Sequence, residues 1–84
     1  VLRHYQTEYL QMKTIFSRHA KRQMKWRKIT EKEVKSAIGD PDMLVDTIKG
    51  RKNAFKIIKG RRLKITYTPE EGTLTVITAM VKGE

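Results

Sequence analysis

The apolar residues change period at Pro41, and that change constrains the fold more than any other feature of the chain. Before it, Thr30-Glu31-Lys32-Glu33 matches a capping box, in which the Thr30 hydroxyl and the Glu33 carboxylate each satisfy a backbone amide of the other. Val34, Ala37 and Ile38 then supply an i, i+3, i+4 face, Gly39 suits a left-handed position after the last turn, and Asp40-Pro41 stops the helix. After Pro41 the period falls to two. Strands are predicted over residues 43–48, 54–59, 62–68 and 73–81, separated by turns at Gly50 and Gly60 and by the loop Pro69-Glu70-Glu71-Gly72. In the last strand Thr75, Ile77, Ala79 and Val81 should share one face and Leu74, Val76, Thr78 and Met80 the other; its near-continuous apolarity suits a central place in the sheet.

A helix is also predicted ahead of Thr30. Ser17 is a good N-cap, Phe16, Ala20 and Met24 recur at intervals of four, and His19, Gln23 and Trp26 lie along the neighbouring stripe. The β-branched and aromatic run at residues 13–16 reads as a short strand. Leu2, Tyr5, Tyr9 and Met12 have helical spacing, and Met12 is also an initiator candidate, which would make residues 1–11 an extension ahead of one domain over 12–84. The expected architecture is α+β: two helices packed on a four-stranded antiparallel sheet, with an extra strand or helix at the N-terminus.

Several function classes are disfavoured. The chain has no cysteine and only two histidines, so no thiolate metal site and no ligand-like spacing is present, and no cofactor is implied. The lack of cysteine suits a cytoplasmic protein. No apolar run approaches the roughly 18 residues of a membrane span, and the first residues do not resemble a signal peptide. There is no Gly-rich phosphate loop, no nucleophile elbow and no pair of acids placed for catalysis; Glu31 and Glu33 belong to a helix start, Glu70 and Glu71 to a loop.

Charge carries the positive signal. The net charge is +10, and it is segregated along the chain. Residues 1–28 hold eight Lys/Arg and one acid, residues 31–46 two Lys and five acids, and residues 47–65 eight Lys/Arg and no acid. Such blocks favour an anionic partner. Residues 17–28 add the only Trp and a His to six of those cations, and RNA fits that combination best. Arg18, Lys21, Arg22 and Lys25 on the helix, with Arg51 and Lys52 in one turn and Arg61 and Arg62 beside another, would line one groove if helix and sheet share an edge. His19 is the candidate for proton transfer, since imidazole exchanges protons near neutral pH; a structural hydrogen bond at the helix start is the plainer role. Tyr67 and Trp26 read as packing residues first and base-stacking residues second. His4 carries no assigned chemistry.

The run Phe16-Ser17-Arg18-His19-Ala20-Lys21-Arg22-Gln23-Met24, the step Ile29-Thr30-Glu31-Lys32-Glu33-Val34, the Asp40-Pro41 stop and the closing Leu74-Thr75-Val76-Ile77-Thr78 together resemble a widespread bacterial domain family of uncharacterised function. That family is in turn similar to the RelE and BrnT toxins of toxin–antitoxin systems. The resemblance implies a metal-independent ribonuclease in which the ribose 2′-hydroxyl attacks the scissile phosphate. It implies His19 as the proton-transfer residue, with Arg51, Arg61 and Arg62 as phosphate binders that stabilise developing charge. The chain departs from the toxins at its end, where Ala79-Met80-Val81-Lys82 offers only Lys82 for the functional residue that RelE-type toxins often carry there.

The expectation is therefore a toxin-like RNA-binding domain, acting as a ribonuclease on free or ribosome-bound RNA and docking an acidic antitoxin. Its rivals are a non-catalytic nucleic-acid-binding module and an interaction domain for an acidic protein.

Overall fold

A computed structural model describes residues 13–83; the expected N-terminal helix, Met12 and His4 lie outside them. Strand β1 (Lys13–Phe16) leads into helices α1 (Arg18–Arg27) and α2 (Glu31–Gly39). Strands β2 (Met43–Asp46), β3 (Lys52–Ile58), β4 (Arg61–Glu70) and β5 (Thr73–Val81) follow, with one 3-10 turn at Ile48–Gly50 between β2 and β3.

Both helices start as their caps dictate. The Ser17 hydroxyl accepts the Ala20 N–H at 3.0 Å. At α2 the capping box closes both ways: Thr30 N–H donates to Glu33 Oε1 at 2.9 Å, and Glu33 N–H to the Thr30 hydroxyl at 3.1 Å. The ends differ from expectation. Gly39 is the last residue of α2, not a left-handed cap, and the Asp40 N–H closes that helix on Ser36 O at 2.9 Å. The left-handed residue belongs to α1 instead: Lys28 has φ 56°, and the Ile29 N–H reaches back to Met24 O at 2.8 Å. This reversal buries Ile29 beside Met24 and turns the chain straight into α2.

The sheet has five strands in the order β1-β5-β4-β3-β2 and is mixed, not four-stranded and antiparallel. β1 is the difference. It pairs parallel to β5, from Lys13 opposite Thr73 to Phe16 opposite Val76, which leaves β5 internal as its apolarity suggested. The other three pairings are antiparallel. Lys59 and Gly60, both at positive φ (52° and 79°), join β3 to β4 in a two-residue turn of the kind that matches strand twist. β4 runs on through Pro69 and Glu70, which sequence reading assigned to a loop. β3 begins opposite Tyr67, so past Tyr67 β4 has one neighbour and a residue lacking N–H is tolerated.

The expected faces of β5 are corrected by a bulge. Thr66 faces Thr78 whereas Tyr67 faces Val76, so Ile77 is an extra residue and the alternation changes phase there. Leu74, Val76, Ala79 and Val81 are consequently the buried set. The bulge is fastened by α1 and the residue before it. Ser17 N–H donates to Val76 O at 2.9 Å, the Ser17 hydroxyl to Ile77 O at 3.0 Å, and the Ala79 N–H to the Gln23 side-chain oxygen at 2.9 Å.

Ala20, Met24, Ile29, Val34, Ala37 and Ile38 from the helical segment pack on Ala54, Leu63, Ile65, Tyr67 and the β5 set to form the core. α1 lies over β5 and α2 over β3 and β4. Both helices thus cover one face of the sheet, and among the described residues no helix covers the other.

Candidate nucleic-acid interface

The buried edge of α1 is Ala20 and Met24, with Gln23 turned to the sheet and Arg27 half-buried. Everything else on the helix faces solvent: Arg18, His19, Lys21, Arg22, Lys25 and Trp26. At 100° per residue these fall into two neighbouring rows. Arg18, Lys21 and Lys25 make a cationic row; His19, Arg22 and Trp26, at i, i+3 and i+7, make a row with an aromatic at each end and about 10 Å between them.

This surface opposes the local preferences of a helix. No acid stands in the first turn, where the helix dipole favours one, and Arg18 and His19 stand there instead. Lys21 meets Arg18 and Lys25 at spacings of three and four, and Arg22 does the same, each like-charge pair costing about 0.2–0.5 kcal/mol. None of the exposed cations of α1 forms an ion pair with an acid among the described residues. By contrast α2 opens with Glu31 and Glu33, as its dipole favours. A conflict confined to one face of one helix is the pattern expected of a functional surface, which makes this face the candidate.

The second basic block behaves differently, because the acidic segment between the blocks is its partner. Lys52 Nζ meets Asp46 at 2.6 Å. Lys56 meets the Asp40 carboxylate at 3.5 Å and its carbonyl at 2.8 Å. Arg61 lies 3.6 Å from Glu33, and Asp42 accepts the Ile57 N–H at 2.9 Å. Part of the charge that the sequence suggested for a groove, Lys52 and Arg61, is thus already paired with acids of the same chain.

Arg61 is the clearest case. Its guanidinium donates to Arg27 O at 2.6 Å and to Lys28 O at 3.2 Å, closing the C-terminus of α1 while it faces the capping carboxylate of α2. Glu33, 8% exposed, is held below the usual carboxylate range, first by the Thr30 N–H hydrogen bond and then by the charges of Arg61 and Lys59, against the opposing effect of burial.

The three residues expected to share catalysis are not brought together. His19 stands at the start of α1, whereas Arg61 binds the carbonyl of Arg27, eight residues and about 12 Å along the axis. Arg62 alternates with the buried Leu63 and lines a shallow groove on the sheet face away from the helices with Met43, Phe55, Ile57 and Lys82. Lys82 lies there over the Phe55 ring, 5.1 Å from its centroid. Arg51 and Lys52 are not beside His19 either. The row Ser17, Val76, Tyr67, Lys52 crosses the sheet at the level where α1 begins, placing that turn at the same end but three strand spacings, roughly 14 Å, away. Arg51 is exposed; Lys52 is tied to Asp46.

Tyr67 is wholly buried, as its alternation with Leu63 and Ile65 indicated. Trp26 is 76% exposed and corrects the packing role expected of it. Arg27, to which the sequence assigns no role, places its guanidinium carbon 4.4 Å from the indole centroid. The signal was available, since Trp26 sits about 120° from Ala20 and 160° from Met24 on the helical wheel.

No curated protein and no solved structure matches the chain. A family model described as "Domain of unknown function (DUF4258)" matches residues 16–81, most of the chain, and the protein belongs to that family.

Proposed function

We propose that this domain binds RNA through the solvent face of α1. The observation that carries the reading is the contrast between the two basic blocks. Lys52, Lys56 and Arg61 of the second have acidic partners in the fold. Arg18, Lys21, Arg22 and Lys25 stand together on one helix at a cost in local stability, beside an exposed His and Trp. Phosphates would neutralise the cationic row.

The likeness to RelE and BrnT toxins reaches this chain only through the family resemblance, and ribonuclease activity asks more than the binding surface supplies. With Arg61 engaged at the end of α1, Arg62 on the opposite face of the sheet and Arg51 three strands away, cleavage would fall to His19 with Arg18 or Arg22 as its phosphate binder. Binding without turnover is therefore the reading the geometry supports best. An acidic antitoxin-like protein would meet the same cations and compete with RNA for them.

The test is a titration of labelled RNA at several salt concentrations, with a parallel incubation in EDTA. Four phosphate contacts give a slope of about −2.8 in log K against log salt, a loss of about 50-fold between roughly 50 and 200 mM. Binding with that slope and intact RNA supports the module. Fragments with 2′,3′-cyclic phosphate ends, lost in His19→Ala, would restore the ribonuclease. Salt-independent or undetectable binding would remove RNA as the ligand.

A further inference from the structure

Trp26 is the one large aromatic side chain that the fold leaves in water on the cationic helix. An indole can bury some 150–250 Å², and Trp is highly buried on average, so leaving it three-quarters exposed forgoes a large hydrophobic gain. It is also held in place. The Arg27 guanidinium, 4.4 Å from the centroid, occupies one face of the ring, and Arg27 itself is half-buried against the domain. One face of the indole is backed by a cation, and the ring presents its remaining surface beside Arg22, one turn back along the helix.

A flat, pinned aromatic next to cations is the arrangement that stacks on a nucleobase while neighbouring charges hold the phosphates. We propose that Trp26 is a stacking platform for an unpaired base, so that the face of α1 takes single-stranded rather than duplex RNA; this rests on the RNA-binding reading above and names its substrate class. In a duplex the bases are stacked on one another and closed to an indole, and only the phosphates and 2′-hydroxyls remain for the cations. Single strands offer both. His19, about two turns back on the same row, would meet the same strand two or three nucleotides away.

Because Trp26 is the only tryptophan in the chain, its fluorescence reports on this site alone. The intact protein is titrated with an oligouridine of about 12 nucleotides and with a duplex of the same length, at low salt, while binding is followed independently by anisotropy of a label on the RNA. The expected result is quenching of Trp26 by the single strand in step with binding, and weaker binding of the duplex without quenching. Trp26→Ala should weaken the single strand by about 5- to 150-fold and leave the duplex unchanged, and Trp26→Phe should retain most of the affinity. At so exposed a position, circular dichroism of the Ala variant should match the parent. Anisotropy binding with unchanged fluorescence, or equal losses for both ligands in Trp26→Ala, would overturn the stacking role and leave the basic face as the RNA site. Absence of binding to either RNA would overturn both readings. Quenching only by an acidic protein would make Trp26 an anchor for that partner instead.

Discussion

The guanidinium of Arg61 donates to the carbonyl of Arg27 at 2.6 Å, joining the turn between β3 and β4 to the end of α1 across 34 residues of sequence. Hydrogen bonds from a charged group contribute about 1.5–3 kcal/mol, and breaking these also leaves Glu33 without its nearest cation. Arg61→Ala should therefore lower unfolding stability by about 2 kcal/mol in urea. Arg22→Ala, on the solvent face, should change it by less than about 0.5 kcal/mol. In RNA titrations the order should invert. A larger loss of affinity in folded Arg61→Ala than in Arg22→Ala would return Arg61 to the binding site.

Reversing one charge on α1 should separate stability from binding. In Lys21→Glu, the repulsive pairs with Arg18 and Lys25 become attractive, a gain of about 0.5–1 kcal/mol measurable in urea. The same change should remove at least one phosphate contact, weaken RNA binding and lower the salt slope by about 0.7. Lys56→Ala, whose side chain serves Asp40, should leave the slope unchanged.

Glu33 makes stability depend on pH in a defined direction. Its folded-state pKa lies below the ordinary value of 4.5, so between the two values the unfolded chain binds the extra proton. Stability is then fully present above about pH 4.5 and is lost as pH falls through the folded value. Urea midpoints between about pH 3 and 6 should fall towards acid for the parent. In Glu33→Gln that dependence should be visibly flatter. Parallel profiles would dismiss Glu33 as a source of acid sensitivity.

Lys59 sits at φ 52° in the turn between β3 and β4, a conformation that a β-carbon disfavours. Lys59→Asn should raise the thermal midpoint, with a gain of about 0.5 kcal/mol, because Asn enters that region more readily and Asn-Gly suits this turn. A lower midpoint would mean that the charge of Lys59 near Glu33 outweighs its backbone strain.

What the sequence made legible follows from how local each signal is. The capping box at Thr30 and Glu33, the Ser17 cap and the stripe of Ala20 and Met24 are decided within a few residues, and the structure keeps them. The misplaced features depend on partners far away in sequence. The Ile77 bulge shifts the faces of β5, with Ser17 bonded to the Ile77 carbonyl and Gln23 to the Ala79 N–H, and nothing near Ile77 announces that. β1 read as a strand from its composition, but its parallel place beside β5 is a property of the whole chain. For the binding face the helical wheel identified the cations, whereas the internal partners of Lys52, Lys56 and Arg61 emerged only with the sheet in place.

The pairing of β1 with β5 has a consequence for the order of events during synthesis. β2, β3 and β4 can pair as they emerge, since short turns join them, but α1 lies against β5 and takes two of its anchors from Ile77 and Ala79, each more than fifty residues later. Until residues 73–81 are made, a helix weakened by its own like charges has no strand to rest on, because closing so long a span before its contacts form is entropically costly. A version ending at Gly72 should lack α1 by circular dichroism and hydrogen exchange. The cationic face should therefore be ordered only after β5 is made, more than fifty residues after α1 itself is translated, so a nascent chain emerging amid ribosomal RNA would present that surface in ordered form only when the domain is all but finished.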